Sequence, residues 1–136
     1  MHIEYEAVRS APVDAIVALY ASAGWWTESP EGRRVIPLMI RGSFCFMVAR
    51  SPGGGVVGMG RVISDGHSDA YIQDVVVLPE YRGRGIGGEL VRRLTAVCRD
   101  NKIGWIGLVA EPGTQGLYES LGYRPLAGYQ PMLYGE

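Results

Sequence analysis

The sequence contains no uninterrupted apolar run approaching the ~18 residues that span a bilayer, so no transmembrane segment is expected. Its first residues, Met-His-Ile-Glu-Tyr-Glu, carry acid and no apolar core, so a secretory leader is not expected either. Neither sign of charge is in excess: 13 Lys and Arg stand against 14 Asp and Glu, for a net charge of -1. A chain so balanced has no overall field to draw in nucleic acid or an anionic membrane, and neither is expected as a partner. Cysteine is scarce. Cys45 falls in an apolar strand-like run and Cys98 on the apolar side of a helix, and neither has a CxxC partner or a histidine at metal spacing. Both read as reduced core thiols, which suits the cytoplasm, and no metal site is expected. Repeats, linkers and low-complexity tracts are also lacking, so residues 1–136 read as one domain. The remaining balance, 47% apolar and 20% charged, is that of a globular chain able to bury a core without staples.

The chain is punctuated clearly. Residues 3–8 alternate as a strand, and Ser10 is expected to cap a helix running to Tyr20. Ser29-Pro30-Glu31 starts a second helix, which Pro37 should disturb. Residues 43–50 and 56–64 read as a hairpin around Ser51-Pro-Gly-Gly-Gly55. Residues 70–78 form a third strand in this run, ending in the continuously apolar Val75-Val76-Val77-Leu78 of a strand covered on both faces. Residues 84–100 are the clearest helix, with Ile86, Leu90, Val91, Leu94, Val97 and Cys98 on one side. A strand at 103–110, a short helix at 112–121 and a last strand at 129–134 follow. The order predicts an α/β (α+β) domain: a mixed, mostly antiparallel sheet flanked by helices.

The chemistry concentrates where the apolar strand meets that helix. Arg82, Gly83, Arg84, Gly85, Ile86, Gly87 and Gly88 follow Pro79-Glu-Tyr. Glycines allow close backbone approach, the first helical turn offers unpaired N–H groups, and the arginines add charge, which together make a pyrophosphate site. Gly83, Gly85 and Gly88 also satisfy GxGxxG, with Glu111 near the end of the next strand where a ribose-binding acid would stand. Two points weigh against a dinucleotide fold. Residues 79–82 intervene between the strand and the first glycine, and too few residues follow Gly88 to finish a doubly wound sheet. A Walker loop is excluded, since no Gly-Lys-Ser/Thr is present.

The segment resembles the Arg/Gln-x-x-Gly-x-Gly/Ala signature of the GNAT superfamily of N-acetyltransferases through Arg82, Gly85 and Gly87. Leu117-Tyr-Glu-Ser-Leu-Gly-Tyr123 is similar to a second motif of that family, and the two occur in family order with a strand between them. The resemblance covers residues 56–124 well and the first 50 only in element order. It implies a GNAT-like fold and acetyl-CoA as co-substrate, with the backbone of residues 82–88 on the pyrophosphate. The strand edge at Val75, Val76 and Val77 would lie along pantetheine, and Tyr118 would donate a proton to the leaving thiolate. Glu111 and Thr114 depart from the Asn and Ala common at those positions.

The implied reaction is direct acetyl transfer to a primary amine. An alkylammonium of pKa ~10.4 is only about one part in 10³ neutral at pH 7, so a base or an ordered water helps. Asp74 precedes the acyl-binding segment and Gln73 alternates with Val75 and Val77, which predicts a shared face. Asp65, His67 and Glu111 are further candidates. Trp25-Trp26, between the first two helices, offers an aromatic wall for substrate or else a staple between helices. With residues 61–66 and 72–74 it is similar to an arylalkylamine acetyltransferase subgroup, which implies an aryl or arylalkyl amine as acceptor. A homodimer, a protein or peptide acceptor, and a coenzyme A-binding regulator without transfer activity are alternatives left open.

Overall fold

The computed structural model describes residues 1–135. Five strands form one sheet in the order β1-β2-β3-β4-β5: Glu4–Ala7, Cys45–Arg50, Val56–Ser64, Asp69–Val77 and Trp105–Leu108. The first four are antiparallel neighbours, and β5 joins β4 in parallel. The hairpin turn closes through Ser51 N–H to Gly55 O and Gly54 N–H to Ser51 O.

Helices cover both faces. α1 (Val13–Ser22) and α2 (Pro30–Gly42) pack Ile16, Leu19, Ile36 and Ile40 against Phe46, Val48, Met59 and Val76. α3 (Ile86–Asp100) packs Leu90, Val91, Leu94 and Cys98 against Met47, Val62, Ile72 and Val77 on the other face. Cys45 and Cys98 are free and buried in this second core, as core thiols should be. Two glycines set the seat of α3. A Cβ on Gly60 would stand 2.8 Å from Leu94 Cδ1, and one on Gly58 would stand 3.3 Å from Leu90 Cδ1. The bare backbone of β3 lets α3 lie close against the sheet. A short α4 (Gln115–Ser120) follows β5.

Two expectations fail locally. Ser10 caps nothing, because α1 starts at Val13 after Pro12 and has no side-chain cap. Pro37 disturbs α2 as read, since its missing N–H removes one helical bond, but Ile36 and Ile40, 3% and 1% exposed, hold the turns on either side in the core and the helix runs on to Gly42. Residues 129–134 form no strand. An extended segment is stable only with a ladder partner, and this one pairs with nothing among the described residues. Ser29, by contrast, caps α2 as read, its Oγ accepting from Gly32 N–H at 2.9 Å.

Candidate active site

The sheet opens where its chemistry is expected. β4 and β5 pair only from Asp69↔Trp105 to Ile72↔Leu108, yet β4 continues to Val77. Beyond Leu108 the two strands part, leaving an edge of β4 without a strand partner among the described residues. Leu78 N–H donates to Val57 O on β3, so alternation turns the backbone groups of Val77 toward the opening. The Val77 carbonyl there accepts from Arg82 Nε at 2.9 Å.

The loop into α3 meets this edge. Gly83 and Gly85 are left-handed, with φ of 78° and 80°, and neither would meet a neighbour with its Cβ. Backbone conformation rather than space requires glycine at these two positions. The helical ladder starts at Glu89 N–H to Gly85 O, which leaves the N–H groups of Ile86, Gly87 and Gly88 ahead of it. Gly87 is close to the β4 edge: its Cβ position lies 3.8 Å from Val77 Cγ2. Arg84 lies over the Tyr81 ring at 5.4 Å. Three free N–H groups, a helix dipole and an adjoining strand edge fit a pyrophosphate followed by an extended amide chain, which is the donor set coenzyme A needs.

α4 brings the second motif to the same place. Leu117 Cδ1 lies 3.3 Å from the Cβ position of Gly88. Tyr118 is half-buried, packed edge-on against Tyr123 at 6.3 Å, and its hydroxyl makes no hydrogen bond among the described residues. Tyr123 instead pairs with Thr95 Oγ1 at 2.6 Å. Burial pushes the Tyr118 phenol above its usual range, with Glu111 and then Tyr123 adding to the rise. The group is therefore a protonated donor at neutral pH.

A bulge in β4 corrects the reading of Gln73. The register runs Arg61↔Gln73 and then Met59↔Val76, so Asp74 and Val75 both stand opposite Gly60. Asp74 is left-handed, with φ 58°. Ile72, Val75 and Val77 face the α3 core, while Gln73 pairs with Arg61 on the opposite face. Gln73 and Val75 thus lie on different faces, because the extra residue inverts the alternation.

Asp74 points to α1. Its Oδ2 accepts from Arg61 Nε and from the Tyr20 hydroxyl, each at 2.8 Å. Burial, followed by the charge and hydrogen bond of Asp74, drives the Tyr20 phenol far above its usual range. With Oδ2 engaged twice, only Oδ1 is left to meet a substrate. Sequence reasoning missed Tyr20 and singled out Arg61 only by resemblance. Tyr20 lies 54 residues from Asp74, and no spacing rule reaches that far.

Tyr20 also floors a groove of about 250 Å³ lined by Trp25, Trp26, Val35, Ile36 and Met39. The two tryptophans divide the work. Trp26 stacks on Tyr20 at 6.3 Å and sits 3.1 Å from the Cβ position of Gly32, while Trp25 is 41% exposed at the lip. Asp65 is a turn residue: it accepts from the N–H groups of Ser68 and His67 and from the Ser68 hydroxyl, bonds that lower its carboxyl to about 2. Its lone pairs and the His67 backbone serve that turn.

Comparison with known proteins shows the family and the fold. The family model described as an acetyltransferase (GNAT) domain matches residues 42–125. Over 68 residues, half of this chain, the sequence is 40% identical to a chloroplastic GCN5-related N-acetyltransferase 2 of Arabidopsis thaliana, a match covering 26% of that protein. Over 75 residues, 55% of this chain, it is 39% identical to the chloroplastic serotonin N-acetyltransferase 2 of Oryza sativa, covering 38% of it. These matches span well under half the length of either relative. The fold superimposes on a probable acetyltransferase of unknown function from Staphylococcus aureus with a TM-score of 0.84, at 20% identity and 99% coverage of both chains. The chain belongs to the GNAT acetyltransferase domain family.

Proposed function

We propose that this protein is an acetyl-CoA-dependent N-acetyltransferase acting on a primary amine of a small aryl or arylalkyl compound, by direct transfer, in the cytoplasm. The observation that carries the acceptor class is the groove of Tyr20, Trp25, Trp26 and Met39, whose floor residue is hydrogen-bonded to Asp74 beside the acyl edge of β4. A flat ring fits among the indoles, and an amine one or two carbons further on reaches the carboxylate. The similarity to a serotonin N-acetyltransferase supports the same class.

Acetyl-CoA, when bound, supplies the thioester. The N–H groups of Ile86, Gly87 and Gly88 hold its pyrophosphate, and the edge at Val75, Val76 and Val77 aligns its pantetheine. Asp74, tethered by Arg61 and Tyr20, draws the ammonium in and orients it through Oδ1. Gln73, on the same face as Arg61, orders a water that takes the amine proton. Tyr118 holds a proton for the departing sulfur.

Thiol release from acetyl-CoA, measured across aryl, arylalkyl, alkyl and peptide amines, tests the reading. Arylalkyl amines should give the highest kcat/KM. Preference for a peptide would assign a protein acceptor, and tight acetyl-CoA binding without turnover of any amine would assign a regulator.

A further inference from the structure

The ion pair at the inner end of the aromatic groove leaves part of each charge unpaired. Asp74 engages only Oδ2, with Arg61 Nε and the Tyr20 hydroxyl, and Arg61 donates to it only through Nε. Asp74 Oδ1 and Arg61 Nη1 and Nη2 have no partner in hydrogen-bond geometry among the described residues. No partnerless side-chain nitrogen or oxygen is buried there either, so all three atoms reach solvent. The Asp74 and Arg61 side chains are 22% and 18% exposed, enough to be met from outside and too little to be bathed in water.

The guanidinium belongs to the groove as well. Tyr20 floors the groove. Burial and Asp74 raise the pKa of its phenol, and Arg61 stands near enough to that hydroxyl to pull against the rise. The residues directly opposite Arg61 on the flanking strands are Phe46 and Gln73, neither of them charged. No second carboxylate comes from those positions to occupy Nη1 and Nη2. A plain ammonium meeting this pair gains little, because the guanidinium repels what the carboxylate beside it attracts. A molecule carrying both signs on neighbouring atoms gains from each.

We propose that the acceptor is an aromatic α-amino acid, bound with its ammonium on Asp74 Oδ1, its carboxylate on Arg61 Nη1 and Nη2, and its ring in the groove of Tyr20, Trp25 and Trp26. This narrows, and rests on, the arylalkyl acceptor proposed above: the substrate is an arylalkyl amine whose α-carbon bears a carboxylate. The two charged groups of an α-amino acid share one carbon, as Oδ1 and the Nη atoms share one ion pair. A guanidinium fork takes a carboxylate through two parallel bonds. In the transfer, the ammonium gives one proton to the water that Gln73 orders, and the freed lone pair forms the N–C bond at the thioester carbonyl. The C–S bond breaks with its electrons on sulfur, which takes the Tyr118 proton. The nitrogen loses its second proton as the phenol is restored from solvent, so the net products are N-acetyl amino acid, thiol and one proton. The amide carries no charge, so Oδ1 loses its partner and only the carboxylate contact holds the product.

Thiol release from acetyl-CoA with L-tryptophan and with tryptamine, which lacks only the carboxylate, tests this on the full chain. The wild type should favour L-tryptophan in kcat/KM by about 10- to 100-fold, the range that a charge-assisted contact gives. Arg61→Gln should slow both substrates, because it also loosens Asp74, and should bring their ratio near one. Arg61→Lys should recover part of the ratio, since it keeps the charge and loses the fork. Tm checks that each variant folds. Inhibition of the wild type needs no variant: indole-3-propionate, a ring and carboxylate without an amine, should compete with the acceptor at least ~10-fold more tightly than its neutral amide. Tryptamine equal to or better than L-tryptophan would overturn the inference and leave the arylalkyl reading standing. So would a ratio untouched in folded Arg61→Gln, or equal inhibition by acid and amide. No turnover of either compound, nor of their phenyl counterparts, would overturn both readings.

Discussion

Leu117 of α4 lies 3.3 Å from the point where a Cβ on Gly88 of α3 would stand. That single approach seats the helix carrying Tyr118 against the glycine loop, so the two motifs share one site. Gly88→Val places branched methyls into this contact. It should lower stability by about 1–3 kcal/mol, the usual effect of overpacking, and reduce kcat by displacing α4. Denaturant melts and kinetics on the same sample would show both, and unchanged values would mean that α4 shifts freely.

Acetyl-CoA at about 100 times its Kd should stabilise the fold by about 2.7 kcal/mol through mass action. Gly87→Glu should abolish the Tm shift, because its carboxylate would take the place of a phosphate at the free N–H groups. NAD should shift neither protein. A shift with NAD alone would restore the dinucleotide reading.

Tyr118→Phe keeps the ring against Tyr123 and removes only the hydroxyl. A proton donor acts in the transition state, so kcat should fall on the order of 10²-fold with acetyl-CoA affinity nearly unchanged. Because burial raises this phenol, activity should also persist above pH ~10 before any loss by its ionisation. A variant as fast as wild type would leave water as the proton donor.

The two tryptophans should separate. Trp25→Ala should raise the KM for an arylalkyl amine at nearly constant Tm, since the ring stands at the lip of the groove. Trp26→Ala should lower Tm as well, because Trp26 stacks on Tyr20 and packs on Gly32. Equal stability loss in both would make the pair a staple between helices.

Tyr20 gives a stability signature in alkali. Its pKa in the fold lies above the ordinary ~10 of an unfolded tyrosine. Above pH ~10 the unfolded chain releases a proton that the native state keeps, so ΔG of unfolding falls as pH rises toward the folded value. The contribution is complete below pH ~10. Tyr20→Phe should flatten the decline between pH 9 and 11, roughly spanning that onset, in urea melts. An equal slope in both proteins would show that the phenol is not held buried against Asp74 in solution.

The sequence by itself determined the elements whose signals are local. A proline and a capping serine started α2, a continuous apolar run marked β4, and glycines between strand and helix marked the N-terminus of α3, because caps, periodicity and φ preferences act within a few residues. The glycine loop was legible for the same reason. Gln73 was not: its face depends on the bulge at Asp74, which forms against Gly60 of the neighbouring strand. Tyr20 came to Asp74 only when α1 packed on the sheet, and Asp65 looked like a base until its turn engaged its oxygens. Residues 129–134 carry a strand pattern and no strand. A pattern states which side chains can share a face, but a strand exists only where another backbone accepts its hydrogen bonds, and that is settled by what the tertiary structure brings alongside.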